Sequence, residues 1–301
     1  MKKIAAVVVT YNRKEMLKEC LNSLLRLKKD GLEIFVVDNA STDGTYEEIE
    51  PLIIKSKPGE LRYFNTQKNL GGAGGFNYGL REVLKGDYDY AWLMDDDTIV
   101  QKNTLDSLLD KAKLLKDDFS FLSSLAKWTD GSFCEMNRQL IDPDWFKHED
   151  HFKDGLAPIT HATFVSYFVN MPVVKRAGLP IKEFFIYGDD WEYSLRLSKI
   201  KPGYMVFDSE VLHKMPSNKP ANLISCSADR ISRYYYDHRN QNYIMRKYLS
   251  TKKKVEFWTV RWPYHVIQIL RKSPDHKWKR IWTLTKGEFV GKFFSPKVEM
   301  G

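Results

Sequence analysis

The stretch Tyr90-Ala91-Trp92-Leu93-Met94-Asp95-Asp96-Asp97-Thr98 decides the fold. Tyr90 to Met94 is an unbroken apolar run, the pattern of a strand buried on both faces of a parallel sheet. It stops at three adjacent carboxylates. Such acids repel one another and are costly beside a buried strand end. A divalent cation that takes oxygen ligands, Mg²⁺ or Mn²⁺, removes that cost. The edge where the strands of an open α/β sheet end is also where these folds bind ligands. A solvated acidic turn, with Asp97 or Thr98 capping the next helix, fits the same letters. The rest of the chain has to choose.

Working outward, Ile4 to Thr10 is β-branched and apolar and predicts a central strand. Met16, Leu17, Cys20, Leu21, Leu24 and Leu25 repeat at helical spacing within Lys14 to Leu27. Leu32 to Val37 predicts a second strand, Tyr46 to Lys55 a helix and Leu61 to Asn65 a third strand. The glycine-rich segment from Asn69 opens a helix reaching about Leu84, and another is expected from about Asn103 to Leu115. This alternation predicts an α/β fold, a doubly wound and mostly parallel sheet flanked by helices. Beyond Phe119 the pattern is mixed. Strands are expected at Phe121 to Lys127, Thr163 to Asn170 and Tyr204 to Phe207, with hairpin and loop over Trp128 to Pro158. Short helices are expected at Met171 to Ala177 and from the Asp189-Asp190 pair to about Ser198. The expected division is a catalytic region over 1–228, split near 118, and a helical, basic, aromatic region over 229–301.

A chain of 301 residues that is 43% hydrophobic can bury a full core, which argues against wholesale disorder. Cys20, Cys134 and Cys226 are far apart and share no metal-ligand spacing, and no apolar leader precedes Ile4. Both features suit reduced thiols and a cytosolic setting. No apolar run is long enough to span a bilayer. The charge is uneven. Residues 230–301 hold 17 Lys and Arg against 5 Asp and Glu, whereas the remainder holds 30 against 34. The basic tail therefore calls for an anionic partner.

Other candidates cluster at predicted strand ends. Tyr11 can stack on a base and Arg13 can meet a phosphate, while Asn12 beside them also suits a helix cap. Asp38 can accept from a base N–H or a ribose hydroxyl, or simply belong to a turn. Gly71, Gly72, Gly74 and Gly75 permit close backbone approach at a helix start, or make a flexible loop. They do not form a P-loop or a dinucleotide fingerprint, which disfavours an ATPase or a nicotinamide enzyme. Asp189 and Asp190 follow an apolar segment. They suit a general base, or are helix N-terminal acids favoured by the dipole. His213 can join the acid triplet at a metal, or stand alone on the surface.

Taken together in this order, the segments resemble the family 2 glycosyltransferases of the GT-A fold. The residues that carry the resemblance are Val8 to Arg13, Val36 to Thr45, Asn69 to Phe76, Asp95 to Asp97, and Gly188 to Arg196. It covers about residues 1–215. Within the family the chain is most similar to galactofuranosyltransferases, with rhamnosyltransferases sharing nearly the same motifs. It departs from the mycobacterial-type galactofuranosyltransferases in having Gly188 before the acid pair and Trp191 after it, and in lacking their added N-terminal domain.

The resemblance implies an inverting transfer from a nucleotide sugar to a glycan or lipid-linked glycan acceptor, with UDP-galactofuranose favoured over dTDP-rhamnose. It implies that Tyr11, Arg13 and Asp38 hold the nucleotide, that Asn69 and Gly71 to Gly75 line the donor pocket, and that Asp96 faces ribose or sugar. Asp95, Asp97 and His213 are implied as ligands of Mn²⁺ or Mg²⁺. Asp190 is implied as the base, with Asp189 the runner-up, and Trp191 and Glu192 as acceptor contacts. A sugar nucleotidyltransferase is the alternative from another class.

In the tail, Val255 to Arg271 and Trp278 to Phe294 mix aromatics with Lys and Arg. That composition suits an anionic membrane face, and hence peripheral attachment to the inner side of the cell membrane. Packing on the catalytic region or on a second subunit of a homo-oligomer is the other reading. No recognition motif points to nucleic acid.

Overall fold

A computed structural model describes residues 2–220, 222–248 and 257–301, with only the backbone of 257 and 258. The start of the predicted aromatic-basic tail segment, Val255 and Glu256, lies outside the described residues, as do the side chains of Phe257 and Trp258. The first half alternates β1 (Ile4–Thr10), α1 (Lys14–Leu25), β2 (Leu32–Asp38), α2 (Thr45–Lys55), β3 (Leu61–Asn65), α3 (Gly71–Val83) and β4 (Tyr90–Asp95). β5 (Thr98–Val100), α4 (Thr104–Leu114) and β6 (Phe121–Lys127) follow. Then come β7 (Leu140–Ile141), β8 (Leu156–His161), β9 (Tyr167–Asn170), α5 (Met171–Ala177), α6 (Asp189–Ser198) and β10 (Gly203–His213). Among the described residues three further α-helices follow, α7 (Tyr234–Tyr248), α8 (Trp262–Lys272) and α9 (Lys277–Gly291).

The strands form one sheet in the order β3-β2-β1-β4-β9-β6-β10-β8-β7, with β5 paired to β10. β3, β2, β1 and β4 run parallel, whereas β9 is antiparallel to both its neighbours. Alternate residues of β1 face opposite ways, the period of a strand buried on both sides. Ile4, Ala6 and Val8 pack with Leu17, Leu21 and Leu24 of α1. Ala5, Val7 and Val9 pack with Phe76, Leu80 and Val83 of α3. The glycines of α3 bring it unusually near. A Cβ on Gly75 would lie 2.5 Å from a Val9 methyl, and one on Gly79 2.4 Å from a Val7 methyl.

Three expectations shift. The predicted strand over Thr163 to Asn170 begins only at Tyr167, because Ser166 sits at φ 58° and breaks the extended run. Its buried hydroxyl accepts from Trp92 Nε1 at 2.9 Å, so the break ties the chain to β4. The hairpin expected with loop over Trp128 to Pro158 is present as β7 paired antiparallel with β8, but its second strand runs past Pro158, which sits opposite Tyr204, to His161. β10 runs on past Phe207 to His213 through a bulge between Val206 and Glu210, where polar residues interrupt the apolar pattern.

The C-terminal region folds back on the rest. The Leu179 amide donates to the Glu299 carbonyl at 2.8 Å, and Glu299 pairs with Arg81 at 3.0 Å and Lys182 at 3.1 Å. No helix among the described residues is long and apolar enough to cross a membrane.

Candidate active site

The parallel register puts Thr10 beside Asp38 and Val9 beside Asp95, so both acids emerge at the carboxyl edge of the sheet. β5 then turns back and pairs with the end of β10, setting His213 opposite Thr98. The result is a cluster in which Asp95, Asp97 and His213 each offer a ligand atom, all within 4.8 Å of one another.

Several side chains around that cluster have defined partners, although among the described residues the buried Thr98 hydroxyl has none. Arg13 Nη1 lies 2.8 Å from an Asp97 oxygen and 3.2 Å from one of Asp96, and Thr10 Oγ1 donates to Asp96 at 2.7 Å. His213 Nδ1 lies 2.8 Å from Asn137 Oδ1, whose Nδ2 donates to Thr163 Oγ1 at 2.8 Å. With Nδ1–H donating to Asn137, Nε2 is the nitrogen left to face Asp97 Oδ1 at 3.0 Å. A ring nitrogen and a carboxylate meet there only with a proton or a cation between them. Burial and repulsion by Asp97 push the Asp95 carboxyl well above its ordinary range. Asp96 is pushed to about 6 by burial, against the pull of Arg13. Burial acts on Asp97 too, but the His213 hydrogen bond and charge and the nearby Arg13 outweigh it and hold that carboxyl low. The donor set, two carboxylates and one imidazole at close range, fits a divalent metal.

The acid pair is built differently. Asp189 and Asp190 open α6 after a loop in which Phe185, Tyr187 and Gly188 all have positive φ, at 63°, 69° and 77°. Two non-glycine residues in that region cost energy and need support. α7 supplies it. Asn240 Nδ2 donates to the carbonyls of Phe184, Ile186 and Tyr187 at 3.0, 3.1 and 2.8 Å, and Arg239 donates to those of Glu183 and Phe184. Burial, joined by repulsion from Asp190, pushes Asp189 up to about 8. Burial also raises Asp190, with the adjacent His161 pulling the other way.

Both clusters face one cleft of about 680 Å³. Asp95 and His213 line it, as do Asp189, Asp190, Trp191 and Gly72. Met136, Asn137 and Leu140 come from the segment before β8, and Asp237 and Gln241 from α7. A further recess of about 340 Å³ is lined by Arg13, Lys14 and Lys214 together with Glu15, Asp43 and Asp97, a wall of mixed charge that includes one member of the acid triplet.

The remaining predicted residues fall in various places. Tyr11 is half exposed, and Asp38 is buried, accepting from the Ser41 amide at 2.8 Å and from the Tyr63 hydroxyl. Asn69 is exposed and its Oδ1 accepts from the Gly71 amide at 2.8 Å, so it stabilises the start of α3. Gly71 has φ 71°, and a Cβ there would lie 2.0 Å from the Phe185 carbonyl oxygen. Gly74 and Gly75 are buried against Leu70 and Val9, so of the four glycines Gly72 is the one at the cleft. Glu192 does not line the cleft. It is fully buried, with Arg196 Nη2 at 2.9 Å and the Tyr248 hydroxyl at 2.6 Å, because its carboxylate is taken up by Arg196 one turn on and by α7. Sequence reasoning missed Asn137, His161, Asp237 and Gln241. The first two carry no motif. The last two lie in a polar run, Asp237 to Asn242, on an otherwise aromatic helix, and that contrast was the available signal.

Comparison with known proteins agrees with this geometry. Residues 5–171 match the profile described as Glycosyl transferase family 2. Over 312 aligned residues the chain is 26% identical to the galactofuranosyltransferase GlfT1 of Mycobacterium tuberculosis, covering 96% of this chain and 97% of that protein, so the added N-terminal domain expected to set the mycobacterial enzymes apart does not separate the chain from this one. Among solved structures it resembles the mannosyltransferase PcManGT of Pyrobaculum calidifontis, in complex with GDP-Man and Mn²⁺ (TM-score 0.56, 15% identity, 96% of this chain and 73% of that one). It also resembles GalNAc-T7 with UDP, GalNAc and Mn²⁺ (TM-score 0.65, 15% identity, 85% and 50%). The expected GT-A architecture, a largely parallel sheet flanked by helices with a helical C-terminal region, is the one observed.

Proposed function

Because the chain belongs to glycosyl transferase family 2, we propose that it transfers galactofuranose from UDP-galactofuranose, with inversion, to a hydroxyl of a lipid-linked or growing surface glycan. Glycosyl transfer itself follows from the family, and the nucleotidyltransferase alternative falls with it. The observation that carries the finer reading is the acid triplet with His213 and the acid pair facing a single cleft. Asp95, Asp97 and His213 would hold Mn²⁺ or Mg²⁺, which when bound supplies positive charge for a diphosphate leaving group.

The chain's own residues do the rest. Arg13, Lys14 and Lys214 are the donors in the recess that can meet phosphate oxygens. Tyr11 offers an exposed ring to the base, Asp38 a polar edge beneath it, and Asp96, held by Thr10 and Arg13, a carboxylate toward ribose or sugar. Asp190 takes the proton of the acceptor hydroxyl as that oxygen attacks the anomeric carbon from the face opposite the leaving diphosphate. Of the pair, burial and then the charge of Asp190 favour the proton on Asp189, while His161 pulls Asp190 against its own burial, which makes Asp190 the better placed of the two to act as base. Trp191 lines the cleft where an acceptor ring can stack. A lipid-linked acceptor places the enzyme in the cytoplasm, peripherally attached to the inner face of the membrane.

Calorimetric titration of UDP and dTDP, with and without Mn²⁺, tests this. UDP binding that requires Mn²⁺ and exceeds that of dTDP is the expected result, followed by turnover of UDP-galactofuranose. Preference for dTDP would move the donor to dTDP-rhamnose. Binding indifferent to metal would sink the role given to Asp95, Asp97 and His213.

A further inference from the structure

Helix α9 is amphipathic in reverse. The side that packs inward carries Arg280, Thr283, Gly287, Glu288 and Gly291, with Leu284 the one large apolar side chain among them. Its outward side carries Trp278, Trp282 and Phe289, continued by Phe293 just beyond the helix, at 80, 67, 62 and 74% exposure. Steps of four, seven and four residues keep these rings on one face. An ordinary surface helix turns such rings toward the core.

The inward face explains why the helix can afford this. Gly287 and Gly291 bring α9 against α7, where a Cβ would lie 2.8 Å from the Tyr235 carbonyl oxygen and 2.9 Å from that of Arg239. Arg280 donates to the carbonyls of Leu223 and Cys226 at 2.7 and 2.9 Å, and Glu288 accepts from Asn242 at 2.7 Å. Hydrogen bonds and close backbone contact thus seat the helix, and the outer rings have no part in it. Among the rings stand Lys279, Lys286 and Lys292, all exposed, while Glu288, the one carboxylate between 277 and 293, is buried.

We propose that this outer face of α9 is a membrane-docking surface and that its occupant is an anionic lipid bilayer. Trp and Phe rings enter the boundary between headgroups and acyl chains, and the interspersed lysines meet lipid phosphates. The charge selects lipid over a second copy of the chain. A symmetric contact would press the same lysines against themselves, in a region with 17 Lys and Arg against 5 Asp and Glu. The surface deepens the membrane location given under Proposed function and rests on that reading for its purpose, though its geometry is independent of the donor.

The test is sedimentation of the full chain with vesicles, alongside UDP titration in Mn²⁺. Wild type is expected to sediment with phosphatidylcholine–phosphatidylglycerol vesicles and about tenfold less with phosphatidylcholine alone. The Trp278→Ser/Trp282→Ser variant is expected to lose about tenfold or more of that binding while titrating UDP as wild type does. A Lys279→Glu/Lys286→Glu variant, which keeps the rings, is expected to lose the preference for the anionic vesicles. Wild type that ignores both vesicles, or a Trp variant that sediments equally well, overturns the proposal. So does a wild-type oligomer that the Trp variant dissolves, since the face then belongs to a second copy. Failure of UDP binding with vesicle binding intact would count against the donor reading alone.

Discussion

Asp95 of the acid triplet lines the same cleft as the acid pair, yet the two clusters have different surroundings. Around Asp95, Asp96 and Asp97 the fold supplies compensation: Arg13 reaches two of the three, Thr10 donates to Asp96, and His213 meets Asp97. Around Asp189 and Asp190 it supplies burial and a strained loop, and among the described residues no Lys or Arg forms an ion pair with either. Counter-charges hold Asp97 low and ready to grip a cation, whereas Asp95, which Arg13 does not reach, is raised by burial and by Asp97 in a way that a cation would offset. At the pair, which lacks such an ion pair, a buried carboxyl holds or exchanges a proton. The contrast assigns binding to the strand end and proton transfer to the helix start, and it can be broken at either place.

The largest effect is expected at the pair. Asp190→Asn keeps the shape but cannot accept a proton, so turnover should fall about 10²-fold or more while UDP affinity stays near wild type. Near-normal turnover would move the base elsewhere, with Asp189 the first to examine. At the triplet the corresponding change is one step removed. Asn137→Ala frees the His213 ring to turn, and the Mn²⁺ concentration needed for UDP binding should rise about tenfold or more. An unchanged Mn²⁺ requirement would mean that His213 is held without Asn137, or is no ligand.

The triplet was legible in the sequence because a parallel strand writes itself as an apolar run and its end as the first polar residues. β1 to β4 and the segments between them followed from that rule, with boundaries one or two residues out. The pair was legible as acids at a helix start, but its support was not. Asn240 and Arg239 act on carbonyls more than fifty residues upstream, and a backbone acceptor leaves no letter in the sequence. The same holds for Asn137, whose value comes from a segment between β6 and β8 that has almost no periodicity. Glu192 shows the converse. It sat beside the right acids in sequence, and the turn of the helix carried it into an ion pair with Arg196. The glycines were read for ligand approach, whereas Gly74, Gly75 and Gly79 let α3 lie close to its neighbours.

The support of the pair yields a smaller and more specific effect. Asn240→Ala removes the donor to the carbonyls of Ile186 and Tyr187, beside residues of positive φ, while Arg239 still serves that of Phe184. Stability should fall by about 1–3 kcal/mol in denaturant unfolding. Turnover should drop severalfold with little change in UDP affinity, since the loop aims the acids and not the nucleotide. Equal losses in both would mean that α7 holds the whole cleft and has no special hold on the pair.

The last effect, read in stability alone, is the one that most directly separates the clusters. An unfolded chain releases the Asp189 proton in the ordinary aspartate range, about 4. The folded chain keeps it until about 8. Between those values the folded state binds more protons than the unfolded one, so this residue lowers stability progressively as pH rises, and the loss is complete once the folded group has ionised. Asp189→Asn removes that liability. Its melting temperature relative to wild type should therefore climb from about pH 5 to about pH 8.5, with the two proteins converging toward pH 4. A gap that stays constant over the whole range would show that Asp189 titrates as an ordinary surface acid, and the pair would then have no claim to be charged differently from the triplet.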